Sequence, residues 1–148
     1  MLGGVSTLSL DSKGRLAIPA RHRETLCADF GDRLVVTLES LNCLLVYPQK
    51  TWLPVAEKIA ALPANNPAAL RYQRLLLGHA ETLEMDSAGR VLLPAKLRQM
   101  TGLDKKVVLV GMGRRFELWD EDRWDAETMA TLALPPGELT GQLGEFSL

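Results

Sequence analysis

An aspartate and an arginine stand four positions apart twice in this chain, Asp11 with Arg15 and Asp86 with Arg90. Each pair frames one five-residue pattern, Asp-Ser-Lys-Gly-Arg at 11–15 and Asp-Ser-Ala-Gly-Arg at 86–90. The chemistry on offer is recognition rather than bond making. A carboxylate at the first position of a turn accepts hydrogen bonds from backbone N–H groups two residues on, and a glycine supplies the positive φ that closes the loop. The arginine leaves the turn with a planar fork of donors that fits guanine O6 and N7. Asp11 and Asp86 are therefore expected to orient the arginines, and Gly14 and Gly89 to shape the turns. One such pair alone reads as a surface ion pair contributing about 0–1 kcal/mol. Two copies, each followed by a basic helix start, favour DNA contact at Arg15 and Arg90.

Lys13, Arg21, Arg23, Lys96 and Arg98 surround the two patterns and are expected to contact phosphates. Helix starts at Pro19 and Pro94 could add backbone N–H donors. Lys13 becomes Ala88 in the second copy, so the two halves are not expected to bind alike. Catalysis is not expected. Ser12 and Ser87 lie beside acids but in turns, and neither His22 nor His79 recurs in the other copy, which leaves no duplicated Ser-His-Asp arrangement. Both histidines read as structural. Gly111-Met112-Gly113 departs from a dinucleotide fingerprint because Phe116 stands where the third glycine belongs, so it reads as a hairpin turn. Cys27 and Cys43 sit at non-equivalent places and read as small core residues, with neither a disulfide nor zinc implied. No cofactor, metal or small-molecule substrate is expected.

The net charge of −1 and a pI near 6.1 argue at first against nucleic acid. The distribution reverses that. Residues 1–114 hold 15 basic and 10 acidic side chains, whereas residues 115–148 hold 2 basic and 8 acidic. Both patterns lie in the basic part. With 47% hydrophobic and 24% charged residues the composition is that of a soluble globular protein. The apolar runs are far short of the roughly 20 residues of a membrane span, so a cytosolic location is expected.

The elements that must position these groups come from a tandem duplication. Residues 8–23 align with 83–98 at an offset of 75, with half of the window identical, including Pro19/Pro94, Ala20/Ala95 and Arg23/Arg98. Farther on, Leu44 to Tyr47 and Trp52 match Phe116 to Trp119 and Trp124 at an offset of 72. In each copy, alternating apolar residues on both sides of the turn predict a tight β-hairpin, with Leu8 and Leu10 and then Leu16 and Ile18 inward. Helices are predicted over 19–28 and 94–101, each opened by proline and the second stopped by Gly102. A further hairpin follows in each copy, 33–39 with 42–47 and 106–110 with 115–119. Between the copies, helices are predicted over 52–62, with Pro54 in its first turn, and over 67–77, capped by Asn66. A last helix near 121–131 precedes a loosely ordered tail whose 143–148 end could pack on a neighbour. Trp52, Trp119 and Trp124 read as core or interface residues. The chain divides into a first repeat at 5–50, linking helices at 51–76, a second repeat at 77–120 and a C-terminal helix and tail at 121–148. Strands this short do not make a stable sheet within one repeat. The two copies are expected to interleave around one pseudo-twofold core, an α+β fold with the two turns near each other.

The segments Leu10 to Leu16, Arg74 to Ala80 leading into Asp86 to Arg90, and Phe116 to Trp119 resemble the MraZ family over nearly the whole chain. The resemblance implies two tandem half-barrels of the AbrB swapped-hairpin type, assembly into a ring-shaped homo-oligomer, and regulation of the bacterial division and cell-wall gene cluster by binding promoter DNA at the nucleoid. The family's Asp-x-x-x-Arg signature falls on Asp11 with Arg15 and on Asp86 with Arg90. Related sequences often have a basic residue near the start; here Met1-Leu2-Gly3-Gly4 removes the basis for a contact from the extreme N-terminus. A unit with so few reading side chains is expected to bind weakly alone, and linking several raises affinity on repeated short boxes. An antitoxin-like or scaffolding interaction module is the alternative, since swapped-hairpin folds also occur in antitoxins.

Overall fold

A computed structural model describes residues 1–146. The first repeat supplies β1 (Val5–Ser9), β2 (Arg15–Ala17), α1 (Ala20–Thr25), β3 (Arg33–Thr37) and β4 (Leu44–Pro48). Two linking helices follow, α2 (Gln49–Ala60) and α3 (Pro67–Leu76). The second repeat supplies β5 (Glu81–Glu84), β6 (Arg90–Leu92), α4 (Ala95–Met100), β7 (Lys106–Gly111) and β8 (Phe116–Asp120), and the chain continues through α5 (Glu121–Leu132) and the short α6 (Glu138–Gly141).

Two antiparallel sheets result, one of six strands in the order β1-β7-β8-β4-β3-β5 and one of two strands, β2-β6. The six-stranded order is unchanged when the repeats are exchanged, since β1 maps to β5, β7 to β3 and β8 to β4. This is the interleaved, pseudo-twofold α+β core that the short strands require. The two halves share every sheet.

The interleaving goes deeper than the hairpins predicted at 8–18 and 83–93. The Asp11 N–H donates to Arg15 O at 3.1 Å, but the next strand residue outward, Leu10, donates to Lys105 O at 2.8 Å in the other repeat. Beyond the turn, β1 pairs with β7 along five residue pairs, and β2 pairs with β6 along three. The strands part because their apolar faces are satisfied in different layers. Leu16 and Val91, cross-strand partners in β2 and β6, are each 1% exposed and pack with Leu34, Val36, Leu109, Phe116 and Leu118 of the large sheet.

The opposite face of the large sheet carries Val35, Leu45, Tyr47, Val108, Val110 and Trp119 and is covered by Trp52 and Ile59 of α2 and Leu76 of α3. Both faces are buried, which explains the nearly continuous apolar runs of β3, β4 and β7. Trp124 of α5 stacks edge-on to Trp119 at 5.6 Å between ring centroids. His22 is 4% exposed and meets Phe116 edge-on at 4.9 Å. Burial, then the charge of Arg21, lowers its pKa, so the ring sits neutral in the core. His79 Nδ1 lies 2.8 Å from Leu75 O at the end of α3.

Three local expectations change. α2 begins at Gln49, because Pro48 already has the φ of −56° that suits a helix start; Pro54 is therefore inside the helix rather than in its first turn. Cys27 is exposed, since it lies on the solvent side of the π-helical turn Leu26–Phe30 whose inward residue is Leu26; only Cys43 is a core thiol. Burial, then the charge of Glu117, pushes the Cys43 pKa up to about 12, which leaves it an inert apolar group. Pro19 and Pro94 cap their helices from outside, one residue before the first helical position. α3 starts as predicted, with Asn66 Oδ1 accepting from Ala68 N at 2.9 Å and Ala69 N at 3.4 Å. In the tail, α6 and the residues around it are exposed, and the last part of 143–148, residues 147–148, lies outside the described residues.

Replacing Leu16 with Ala empties a site at the centre of this packing. The expected loss is about 2–5 kcal/mol of unfolding free energy, to be read from the midpoint shift in urea unfolding; a shift near zero would show that the ribbon is not built into the core.

Candidate nucleic-acid interface

The two turns have the same internal bonds. Asp11 Oδ1 accepts from Lys13 N and Arg15 N, each at 2.9 Å, and Asp86 Oδ1 accepts from Ala88 N and Arg90 N, also at 2.9 Å. The second oxygen takes the arginine: Arg15 Nε donates to Asp11 Oδ2 at 2.6 Å and Arg90 Nε to Asp86 Oδ2 at 2.9 Å. Because Nε makes each ion pair, the two Nη groups remain to donate elsewhere. Gly14 N and Gly89 N close the turns onto Asp11 O and Asp86 O at 3.0 Å, with glycine φ values of +82° and +75°. The carboxylates are held ionised. Backbone donation from Arg15 leads the causes that lower the Asp11 pKa from 3.8 to about 2, and donation from Arg90 does the same for Asp86, which is lowered.

The β2-β6 register pairs Arg15 with Leu92, Leu16 with Val91 and Ala17 with Arg90. Cross-strand partners share a face and neighbours along a strand alternate. With Leu16 and Val91 inward, Arg15, Ala17, Arg90 and Leu92 all stand on the outward face. The turns cap opposite ends of this short ribbon, and each is tied to the other repeat: Ile18 N donates to Gly89 O at 2.9 Å and Leu93 N to Gly14 O at 3.2 Å.

The remaining sequence-predicted residues divide by environment. Lys13, Arg21 and Lys96 are exposed. Arg21 Nη2 donates to Ser6 Oγ at 2.7 Å, which holds its guanidinium beside β1. Arg23 and Arg98 are half-buried and cross over between repeats. A Cβ placed on Gly14 would lie 2.7 Å from Arg98 Nε, and one on Gly89 would lie 2.9 Å from Arg23 Nε. Each of these arginines thus braces the turn of the opposite copy. The positions of Ser6 and Ser9 on β1 are taken by Glu81 and Glu84 on β5, and Glu84 Oε1 lies 3.8 Å from Arg33 Nη2. Leu92, on the ribbon face, and the crossed bracing by Arg23 and Arg98 are what the sequence reading missed. The recurring Arg23/Arg98 pair was visible; its crossed partners were not.

Among the described residues no group of three or more His, Cys, Asp or Glu side chains is placed to hold a metal ion. No helix among them is long and apolar enough to cross a membrane. A family model described as "MraZ protein, putative antitoxin-like" matches the chain twice, over residues 1–75 and 76–132. The chain belongs to the MraZ family. It is 64% identical over 148 residues to the transcriptional regulator MraZ of Chromobacterium violaceum, covering all of both chains. It is 47% identical to the protein of the same name from Nitrosomonas europaea, again over the full length of both. With the one from Neisseria meningitidis serogroup C it shares 50% identity over 149 residues, all of this chain and 99% of that one. The boundary between the two matches falls at the end of α3, just before the second repeat's first strand.

Two measurements check the turns. Both carboxyls have folded-state pKa values below the ordinary one, so their stabilising bonds are complete above about pH 4 and are lost as pH falls through each lowered value, about 2 for Asp11. Carboxyl-carbon NMR should show Asp11 titrating near 2 and Asp86 below 3.8; ordinary midpoints would mean the turns are open in solution. Gly14→Ala forces a side chain into positive φ and against Arg98, and should cost on the order of 1–3 kcal/mol in thermal or urea unfolding.

Proposed function

We propose that this chain is a sequence-specific DNA-binding transcriptional regulator, acting in the cytoplasm at the nucleoid on the bacterial division and cell-wall gene cluster, its own promoter included. The observation that carries the reading is the β2-β6 ribbon, with Arg15 and Arg90 on one outward face and each Nε fixed by its aspartate. A two-stranded ribbon enters the major groove, where an arginine fork is matched by guanine O6 and N7. The relatives' name, transcriptional regulator, supports the same role.

Lys13, Arg21 and Lys96 contact phosphates from exposed positions, while Arg23 and Arg98 combine phosphate contact with bracing the turns. Asp11 and Asp86 orient and do not touch DNA, since a carboxylate repels phosphate. A head with two reading arginines binds weakly alone, so a homo-oligomeric ring gathers several heads on repeated short boxes through effective concentration.

The test is a titration of wild type and the Arg15→Ala/Arg90→Ala variant on DNA upstream of the protein's own gene, in a salt series with light scattering on the same samples. Loss of roughly 100-fold or more in affinity at unchanged particle size is expected, the contribution of two bidentate pairs. Wild-type affinity should fall steeply with salt and be far lower on a single-box probe. Unchanged binding by the variant would favour a protein-interaction module, and equal affinity for one box and several would remove the ring.

A further inference from the structure

We infer that Leu92 is a specificity-determining residue that contacts the 5-methyl group of a thymine beside the guanine read by Arg15. The inference rests on the DNA-binding reading of the ribbon. Leu92 is 57% exposed, although it belongs to a strand whose preceding residue, Val91, is 1% exposed. Single exposed leucines are common on protein surfaces. What distinguishes this one is its register position, directly across the ribbon from Arg15, on the face that carries both reading arginines.

Cross-strand partners have Cβ atoms about 5 Å apart. Bases along one strand of a duplex are spaced about 3.4 Å. With the Arg15 fork on a guanine, the Leu92 isobutyl group therefore falls one to two base pairs away, on the floor of the same groove. The apolar group that the major-groove edges of the base pairs present is the thymine methyl. Burying it against leucine removes both from water.

The pseudo-twofold partner of Leu92 is Ala17, which sits across from Arg90. Alanine at that place lacks the branched end that gives leucine its reach, so the contact beside Arg15 has no equal beside Arg90. The ribbon would then accept two guanine contacts of the same kind but require a thymine at one of them only. Lys13, with Ala88 as its counterpart, extends the same imbalance to the turns.

The experiment uses the full chain and duplexes that the wild-type protein selects from a random-sequence pool, with each thymine of the selected site replaced in turn by deoxyuridine, which lacks the methyl group. Wild type should lose about fourfold in affinity at one thymine, the weight of one buried methyl group, and that thymine should lie one or two base pairs from a guanine whose replacement no longer matters in Arg15→Ala. Leu92→Ala should bind the thymine duplex about fourfold less tightly and show no thymine-to-uracil difference, with an unchanged circular dichroism spectrum, while Leu92→Met should keep the difference. The assignment is overturned by a selected site with no thymine at that distance, by wild-type indifference to uracil there, or by Leu92→Ala still distinguishing the two bases. If the pool yields no site, or the arginine variants bind as wild type does, the DNA-binding reading falls and Leu92 with it; if the arginines prove essential and uracil has no effect, the Leu92 contact alone fails.

Discussion

Three residues of β2 paired with three of β6 hold the two Asp-x-x-Gly-Arg turns in place. Strands this short have little stability of their own, and these two persist because their middle residues, Leu16 and Val91, are inserted into a core shared by both repeats. The ends of the ribbon are secured by bonds from Ile18 and Leu93 to the glycine carbonyls of the opposite turns. Each Asp-x-x-Gly-Arg turn is thus anchored by the half of the chain to which it does not belong. Losing the inward pair would release both turns at once.

The Asp-Arg pairs illustrate how a contact of small stability can have a large geometric effect. At 30–39% side-chain exposure, an ion pair adds little to folding. Its value is orientation: three hydrogen bonds to each aspartate fix the turn and the arginine Nε, so little conformational freedom remains to be lost when the fork meets a partner. The pair is also nearly neutral. Exposed positive charge near the turns comes from Lys13, Arg21 and Lys96, in a chain whose total charge is −1.

Duplication set up a symmetric frame, and the surface has departed from it. The residues that build the turns, Asp, Gly and Arg, are the same in both copies, as are the crossed braces Arg23 and Arg98. Around them Ser6 corresponds to Glu81, Ser9 to Glu84, Lys13 to Ala88 and Ala17 to Leu92 under the 75-residue offset. The ribbon's inner positions vary among apolar types, Leu16 against Val91 and Ile18 against Leu93, because volume and hydrophobicity are what the shared core demands, while the buried His22 answers to Leu97.

Much of this was legible in the chain itself. The repeat, the turn chemistry of Asp11, Gly14, Asp86 and Gly89, the Asn66 cap and the need for the halves to complete one another all follow from residue types and short spacings, because turns and caps are made by neighbours in sequence. The hairpin predicted within each copy extended only to the Asp11–Arg15 pair, since alternation shows which side of a strand is apolar and not which strand will lie beside it. Pairing partners 73 to 77 residues apart, as in β2 and β6, are chosen by packing. For that reason the sequence by itself determined two turns of the same build, each with a pinned arginine, while only the tertiary structure decided that β2 meets β6. That one choice of register places Arg15 and Arg90 on a common face, sets Leu92 opposite Arg15, and sends Arg23 and Arg98 across to brace each other's turns.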